Sequence, residues 1–280
     1  MKRLLLCIPL MLLALCAYAT GQDGDVIYIN GKRMELLGKP ICQDSVLYYA
    51  LKDALPSDRS TTSSNWDGFT AYWSIDGNKL YLDSVRYEDY NPDVEVFVNK
   101  SIPSGTLFRI FNRFSTGNRI EASWVTGKLR AAKGQVIYYQ HTGYERNYET
   151  ETILDINHGK VAGTKTYNNY VRDGFSFDQL QHKGAQDTLR KILPLHFERY
   201  PELANVKRFI FKVKRARVDE KGNLLECDVK IIKPEASSQL AKDIADALKA
   251  YHPWKVYFIN GEYRAYGTEN WTMPYFLRDN

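Results

Sequence analysis

The chain has 280 residues, of which 44% are hydrophobic and 13% aromatic, and its formal net charge is +5. This composition is sufficient to form a folded core, and the charge is too small to favour a nucleic-acid or anionic-surface partner. The sequence contains no nucleotide-binding glycine pattern, no HExxH or CxxC metal motif and no GxSxG nucleophile motif. It therefore predicts no cofactor, no metal site and no nucleic-acid binding.

Residues 1–19 have the organisation of a cleaved secretory signal. A basic pair at positions 2–3 precedes an apolar run over 4–17, and an Ala-Tyr-Ala motif at 17–19 suits a signal peptidase. The apolar run is shorter than the roughly 18 residues of a membrane span. We expect an exported protein of the periplasm or cell surface of a Gram-negative bacterium. It would be membrane-bound only if this segment were retained, or if Cys16 were lipidated.

Residues 20–175 are predicted to form a β-rich domain, as a sandwich, a half-barrel or a strongly twisted sheet. The Asn-Gly pair at 30–31 and the Asp-Gly pair at 76–77 lie between alternating apolar runs, which predicts two hairpins. One helix is predicted over 44–55, followed by a polar loop at 56–65. Further strands are predicted in the segments EVFVNK, TLFRIFNRF, RIEASWVTG, GQVIYYQ, YETETILDI and KVAGTKTY.

Residues 176–280 are predicted to form a smaller α+β domain. Ser176 and Gln179 have capping-box spacing, so a helix is predicted from Ser176 to the region of Pro194. The segments RFIFKVK and LLECDVKII predict two strands joined by a turn in DEKGN, and ASSQLAKDIADALKAY predicts a helix. An Asn260-Gly261 hairpin follows. The fold class expected for the whole chain is α+β.

The last 75 residues or so carry a moderately specific pattern. It consists of VDEKGNLLECDVKI, a helix ending near Tyr251, and a Trp followed by an NG hairpin. This order resembles the C-terminal domain of the TonB energy transducers. The matching positions are Val218, Asp219, Gly222, Val229, Trp254, Asn260 and Gly261. The resemblance implies a sheet-and-helix fold and a terminal strand region where partner peptides pair.

Two features depart from that family. Pro253 precedes Trp254, whereas the family usually has a proline shortly after the Trp, and no Pro-rich spacer is present. The resemblance therefore implies the fold and partner binding rather than energy transduction. In the first half, AYWSIDGNKLYLDSV and SWVTGKLRAAKGQVIYYQHTGYERNYETE are similar to uncharacterised exported proteins of Gram-negative bacteria, which implies no activity.

The candidate contact surface is the edge of the last small sheet, around 263–268 and again near 271–276. An unpaired strand edge can accept an extended peptide as an additional strand. The leading hypothesis is thus an exported, non-catalytic binding protein that pairs with another envelope protein. The residues expected to contact the partner are Tyr263, Arg264, Ala265, Tyr266 and Trp271.

Two other functions remain open. The first is a periplasmic or surface hydrolase of glycans or peptides with a carboxylate site in the N-terminal domain. Its acids would come from YERNYETETILD, where an exposed strand face carrying Glu149 and Glu151 is the simpler expectation. The second is a diverged TonB-like transducer, which requires an uncleaved anchor. A cleft with convergent carboxylates would favour the hydrolase, and an uncovered strand edge would favour the binding protein.

Histidine, cysteine and tryptophan give weaker signals. No two of His141, His158, His182, His196 and His252 have metal-ligand spacing. Cys42 and Cys227 could pair in an oxidising compartment. However, Leu225, Cys227, Val229 and Ile231 are expected to share one buried strand face, where a cysteine acts as a small apolar residue. The five tryptophans are expected mainly in the core.

Overall fold

The computed structural model describes residues 21–181, 185–234, 238–268 and 270–277. The predicted signal at 1–19 and Cys16 lie outside the described residues. The chain divides into an N-terminal unit that ends at Tyr167 and a C-terminal unit that begins at Asn168. Both units combine strands with helices, so the α+β class is confirmed.

The N-terminal unit is mostly strand. Its two α-helices in the described range are α1 (Ser45–Ala54) and α2 (Ser104–Ile110), and short 3-10 segments occur at Pro40–Gln43 and Asn112–Phe114. The strands are β1 (Asp25–Ile29), β2 (Lys32–Leu36), β3 (Thr70–Asp76), β4 (Lys79–Asn91), β5 (Val96–Ser101), β6 (Ser115–Thr116), β7 (Arg119–Glu121), β8 (Gly127–Tyr139), β9 (Arg146–Asn157) and β10 (Lys160–Asn168).

These strands form one sheet in the order β10-β9-β8-β2-β1-β3-β4-β7-β6, with β5 also paired to β4. The sheet closes on itself because Lys160 of β10 bridges Lys79 of β4. Most neighbours are antiparallel, whereas β1 and β3 are parallel. The two predicted hairpins are confirmed, and Asn30, Gly31 and Gly77 adopt the positive φ that such turns require.

The helix predicted over 44–55 is confirmed as α1. Asp44 caps its first turn, since the carboxylate accepts hydrogen bonds from the backbone N–H groups of Val46 and Leu47. By contrast, the strand predicted in TLFRIFNRF is wrong. This segment forms α2 and the following 3-10 turn, because Leu107 and Phe111 are four residues apart and both are buried on one side of the helix.

The C-terminal unit contains two three-stranded sheets, ordered β11-β14-β15 and β13-β12-β16. Its described α-helices are α3 (Ala185–Ile192) and α4 (Ser238–Ala250), with 3-10 segments at Phe177–Gln181, Phe197–Arg199 and Pro201–Leu203. The strands are β11 (Tyr170–Arg172), β12 (Arg208–Val218), β13 (Leu224–Lys233), β14 (Val256–Ile259), β15 (Glu262–Arg264) and β16 (Trp271–Phe276).

Trp254 lies at the centre of the C-terminal core and is fully buried. Its ring packs against Phe175, Phe177 and Tyr251, with ring centroids 5.3–5.7 Å away. The indole Nε1 donates a hydrogen bond of 2.9 Å to the Leu248 carbonyl in the last turn of α4. The Trp thus fills the core and also satisfies a backbone acceptor at a helix end.

The turn between β12 and β13 packs directly against this Trp. Asp219 accepts hydrogen bonds from the backbone N–H groups of Lys221 and Asn223, each 2.9 Å long. Gly222 has φ +84°, and a Cβ there would lie 2.7 Å from the Trp254 carbonyl oxygen. Glycine at this position is therefore required by both the backbone conformation and the close approach.

The first helical segment of the C-terminal unit differs from the sequence prediction. A 3-10 segment occupies Phe177–Gln181, and α3 ends before Pro194. The backbone N–H of Ser176 bonds Gln179 Oε1 at 3.4 Å, but the Ser176 hydroxyl bonds Asp178 rather than capping a helix. The unit also begins at Asn168, eight residues before the predicted start at 176, because β11 pairs with β14.

The expected burial on β13 needs correction. Leu225 is 46% exposed and Leu224 is buried, because the register between β12 and β13 shifts beside Val218. Cys227 is half-buried against the C-terminal core, and burial raises the pKa of its thiol to about 12. Cys42 is exposed, and both cysteines are free thiols, so the disulfide considered for this pair is absent.

Candidate functional site

The predicted contact residues are divided between two sheets. Tyr263 and Arg264 lie in β15, the edge strand of the β11-β14-β15 sheet, whereas Trp271 begins β16 in the other sheet. Ala265 is only 1% exposed, so its side chain cannot contact a partner. Tyr266 is half-buried and packs edge-on against Tyr257 at 5.4 Å. The predicted set is therefore not one continuous edge.

The edge of β16 is partly blocked. Gln186 of α3 donates from Nε2 to the Pro274 carbonyl at 3.0 Å and accepts from the Phe276 backbone N–H at 3.1 Å. Pro274 itself has no N–H to donate. A proline and a side chain bonded to the backbone are devices that protect a strand edge from further pairing. This half of the predicted contact surface is thus unsuited to strand addition.

The edge of β15 has a different geometry. Residues Ile259 and Glu262 flank the two-residue Asn-Gly turn and pair with each other, and Phe258 pairs with Tyr263. Because hydrogen-bonded and non-hydrogen-bonded pairs alternate in a hairpin, Tyr263 directs its backbone N–H and C=O away from β14. Tyr263 is consequently the β15 residue best placed to pair with an added strand.

Three aromatic rings form a row across this sheet, which we call the aromatic row: Tyr170, Phe258 and Tyr263. Phe258 lies between the two tyrosines, with ring centroids 5.1 Å from each. Tyr170 is 39% exposed and the other two rings are half-buried. A hydrogen bond with Tyr170 is the main cause that raises the pKa of Tyr263 to about 12, so the Tyr263 hydroxyl is uncharged at neutral pH.

Two members of this row, Tyr170 and Phe258, were not predicted from the sequence. Tyr170 and Phe258 are 88 residues apart, and only the pairing of β11 with β14 brings them together. The available signal was the position of Phe258 next to Tyr257 in a strand, since neighbouring strand residues point to opposite faces of the sheet. Glu220 completes the surroundings of the row, since its carboxylate accepts a hydrogen bond of 3.2 Å from the Tyr263 hydroxyl.

The N-terminal unit contains a polar cleft of about 460 Å³. Residues of the β1, β2, β3 and β4 strands and of the 56–68 loop line it. Its charged lining residues are Asp23, Asp25, Arg33, Glu35, Arg86 and Glu88. The hydrolase alternative required such a cleft. Whether the cleft can hydrolyse a substrate depends on whether its carboxylates are free or already bonded to neighbouring groups.

Two of these carboxylates are held by neighbouring groups. Asp25 is fully buried and accepts hydrogen bonds from the Ala71 backbone N–H (3.0 Å) and from Trp73 Nε1 (2.9 Å). Burial raises the pKa of Asp25 to about 7. Glu35 is bonded through both oxygens, to the Arg146 guanidinium and the Tyr148 hydroxyl. These acids stabilise the fold, and neither presents a free carboxylate to a substrate.

The carboxylates predicted from YERNYETETILD do not form a pair on one exposed face. Glu149 is exposed and accepts from the Gln135 backbone N–H. Glu151 is fully buried and accepts hydrogen bonds from Asn147 Nδ2 (3.0 Å) and the Tyr148 backbone N–H (2.9 Å). The expectation of a shared solvated face is therefore wrong. Register shifts between β8 and β9 near this position break the simple alternation.

In the part of the chain that the structure describes, three histidines contact separate partners. His141 contacts the Tyr139 hydroxyl, His196 contacts Glu198, and His252 contacts the Lys221 carbonyl. His182 lies outside the described residues. Within the described ranges, no group of three or more His, Cys, Asp or Glu side chains is arranged to hold a metal ion.

The tryptophans follow the core expectation with one exception. Trp73 and Trp254 are fully buried, and Trp124 and Trp271 are half-buried. Trp66 is 69% exposed in the loop before β3. Core packing is thus the wrong expectation for Trp66.

Comparison with protein families, with curated proteins and with solved structures finds no match for this chain. None of the described helices combines the length and the apolar composition needed to cross a membrane.

Proposed function

We propose that this chain is an exported, non-catalytic binding protein whose C-terminal unit pairs with an extended segment of another envelope protein. The surface proposed is the β15 edge together with the aromatic row. A partner segment would form backbone hydrogen bonds with Tyr263, and its side chains would pack on the aromatic row. The observation that carries this proposal is the outward direction of the Tyr263 backbone beside partly exposed aromatic rings.

The element order of the C-terminal unit supports the proposed likeness to a TonB C-terminal domain. A strand, the Asp219–Gly222 turn and a second strand precede a helix, a Trp and an Asn-Gly hairpin. Three of the positions that carry the resemblance also meet in space, since Gly222 packs on Trp254 and Asp219 closes the same turn. On this proposal, the role of such a unit is contact with a partner peptide.

Site-specific photo-crosslinking tests the β15 surface. A photoreactive phenylalanine analogue would replace Tyr263 in the exported protein. The matched control position is Leu225, an exposed residue of β13 in the same unit. We expect one discrete cross-linked envelope protein from position 263 and none from position 225. Equal cross-linking at both positions, or none at 263, would overturn the proposal.

The polar cleft of the N-terminal unit keeps a hydrolase as the second candidate function. Asp23 and Glu88 are the lining carboxylates that are exposed and have no ion pair within the described residues, and Asp23 accepts a hydrogen bond of 2.6 Å from the Ser64 hydroxyl. A hydrolase of this kind needs two carboxyl groups with different pKa values. If the cleft is catalytic, Glu88→Gln should abolish release of reducing ends from cell-wall glycans, while Glu149→Gln should not. Absence of any release by the unmodified protein would exclude the glycan hydrolase, and absence of new amino groups after incubation with cell-wall peptides would exclude the peptide hydrolase.

A further inference from the structure

The hairpin formed by β4 and β5 carries a concentration of exposed apolar side chains in the N-terminal unit. Four large hydrophobic residues near its tip are exposed: Tyr90 (49%), Val94 (59%), Val96 (49%) and Phe97 (59%). Tyr90 and Phe97 face each other across the two strands, with ring centroids 5.4 Å apart. Apolar side chains grouped in this way on a surface mark an interaction site more often than single exposed residues do.

The outer edge of this hairpin is open. Within the described residues, β5 forms backbone pairs with β4 alone. Five of its six residues are exposed, and Val98 is half-buried. Alternate residues of such an edge direct their N–H and C=O groups away from the sheet. In contrast to β16, the strand contains no proline, and no side chain bonded to its backbone blocks this edge within the described ranges.

The same hairpin is acidic on a chain whose net charge is positive. Residues 88–101 contain four acids, Glu88, Asp89, Asp93 and Glu95, and one base, Lys100. Lys100 already pairs with Asp89, at 2.5 Å. The other three carboxylates have no ion pair in the part of the chain that the structure describes. A second copy of this hairpin, or an anionic lipid surface, would bring like charges together, which is unfavourable.

We infer that the β4–β5 hairpin is a docking surface for a partner protein. The partner contributes an extended, basic segment, and in this segment apolar residues alternate with lysine or arginine. The segment adds as a strand to β5. Its apolar residues pack on Phe97 and Tyr90, which share one face of the hairpin, and its basic residues face the unpaired carboxylates Asp93 and Glu95 at the turn. This surface lies in the N-terminal unit and does not depend on the β15 edge.

The test uses the full mature protein and a fluorescent eight-residue peptide of alternating lysine and valine, titrated by fluorescence anisotropy. We expect saturable binding. A peptide of alternating glutamate and valine should bind at least tenfold more weakly. Methylation of alternate backbone nitrogens on the lysine peptide should also weaken binding at least tenfold, because strand addition needs those N–H groups. Equal binding of the methylated peptide would overturn strand addition.

Variants locate the surface. Phe97→Ser, and separately the double change Asp93→Lys with Glu95→Lys, should each weaken binding at least tenfold. The matched control is Asp187→Lys with Glu198→Lys, which changes the net charge equally at acids that are 74% and 73% exposed in the C-terminal unit. The control should leave affinity unchanged. If the control weakens binding as much as the hairpin variants do, the attraction is non-specific and the inference fails.

Uncharged phosphatidylcholine vesicles provide the last arm of the test. We expect no co-sedimentation of the protein with them. Vesicle binding that disappears in Phe97→Ser, combined with no binding of the lysine peptide, would identify the hairpin as a lipid contact and would overturn the proposed protein partner.

Discussion

Each unit buries one tryptophan completely and satisfies its indole N–H, but the two acceptors differ. In the N-terminal unit, Trp73 Nε1 donates to the carboxylate of Asp25 at 2.9 Å. In the C-terminal unit, Trp254 Nε1 donates to the Leu248 carbonyl, also at 2.9 Å. Both rings are 0% exposed, so in each case a missing acceptor would leave a buried polar group unpaired.

The choice of acceptor decides how each core responds to pH. A backbone carbonyl does not titrate, whereas burial raises the pKa of Asp25 to about 7 from its ordinary value of 3.8. Hydrogen bonds from Ala71 and Trp73 and the charge of Lys39 oppose this shift. Both indole N–H groups need an acceptor. In the N-terminal unit this acceptor is a carboxyl group that titrates, whereas in the C-terminal unit it is a backbone carbonyl that does not.

The largest expected effect is the pH dependence of the N-terminal unit. Folded Asp25 binds its proton more tightly than unfolded Asp25, so its contribution to stability is fully present below about pH 4 and is lost as pH rises through about 7. The full shift corresponds to at most about 4 kcal/mol. Urea unfolding between pH 4 and 8 should show this loss, and Asp25→Asn should reduce it. An unchanged pH profile in the variant would refute the role of Asp25.

The second effect compares the two indole N–H groups directly. Trp73→Phe and Trp254→Phe remove the same atoms, so the difference between them reports the acceptor. At pH 8, Trp73→Phe removes a donor from a buried ionised carboxylate and should cost about 3 kcal/mol, against about 1–2 kcal/mol for Trp254→Phe. At pH 5 the two costs should converge, because Asp25 is then protonated. Urea unfolding at both pH values measures this, and a constant difference would contradict it.

Local features of the fold were predictable from sequence because they depend on neighbouring residues. The Asn-Gly corners at 30–31 and 260–261 specify tight turns through backbone conformation alone. The helix after Asp44 was predictable for the same reason, since its cap and its apolar spacing lie within ten residues. In TLFRIFNRF, however, the short apolar run is compatible with both a strand and a helix. The helix forms because it buries Leu107 and Phe111 on the same side.

Features that depend on distant residues were not predictable. The Asp25–Trp73 contact joins residues 48 positions apart, and Gln186 reaches β16 from 88 positions away. The sheet closure by β10 and β4 also requires long-range pairing. The candidate site shows the same division. Tyr263 could be selected from the edge hairpin alone, whereas Tyr170 could not, because only the tertiary fold places it beside Phe258.

The third effect tests how tightly the chain packs around Trp254. Gly222→Ala meets both an unfavourable φ and the Trp254 carbonyl oxygen, so it should destabilise the protein by about 2 kcal/mol. The matched control is Gly77→Ala in the N-terminal unit, where φ is +59° and nothing lies within 4 Å of the added Cβ. It should cost about 1 kcal/mol. Equal costs, measured by urea unfolding, would show that the contact with Trp254 relaxes easily.

The smallest expected effect concerns the cap of α1 in the N-terminal unit. Asp44→Ala removes the acceptor for the Val46 and Leu47 N–H groups and should cost about 1 kcal/mol. Asp44→Asn keeps a capping oxygen and loses an ion pair to Arg113, whose side chain is 60% exposed, so it should cost only a few tenths of a kcal/mol. Hydrogen exchange of α1 amides measures both, with peptides around Trp254 as the internal reference. If Asp44→Asn proved as costly as Asp44→Ala, the ion pair rather than the cap would stabilise this helix, and the N-terminal unit would depend on charge at a second position besides Asp25.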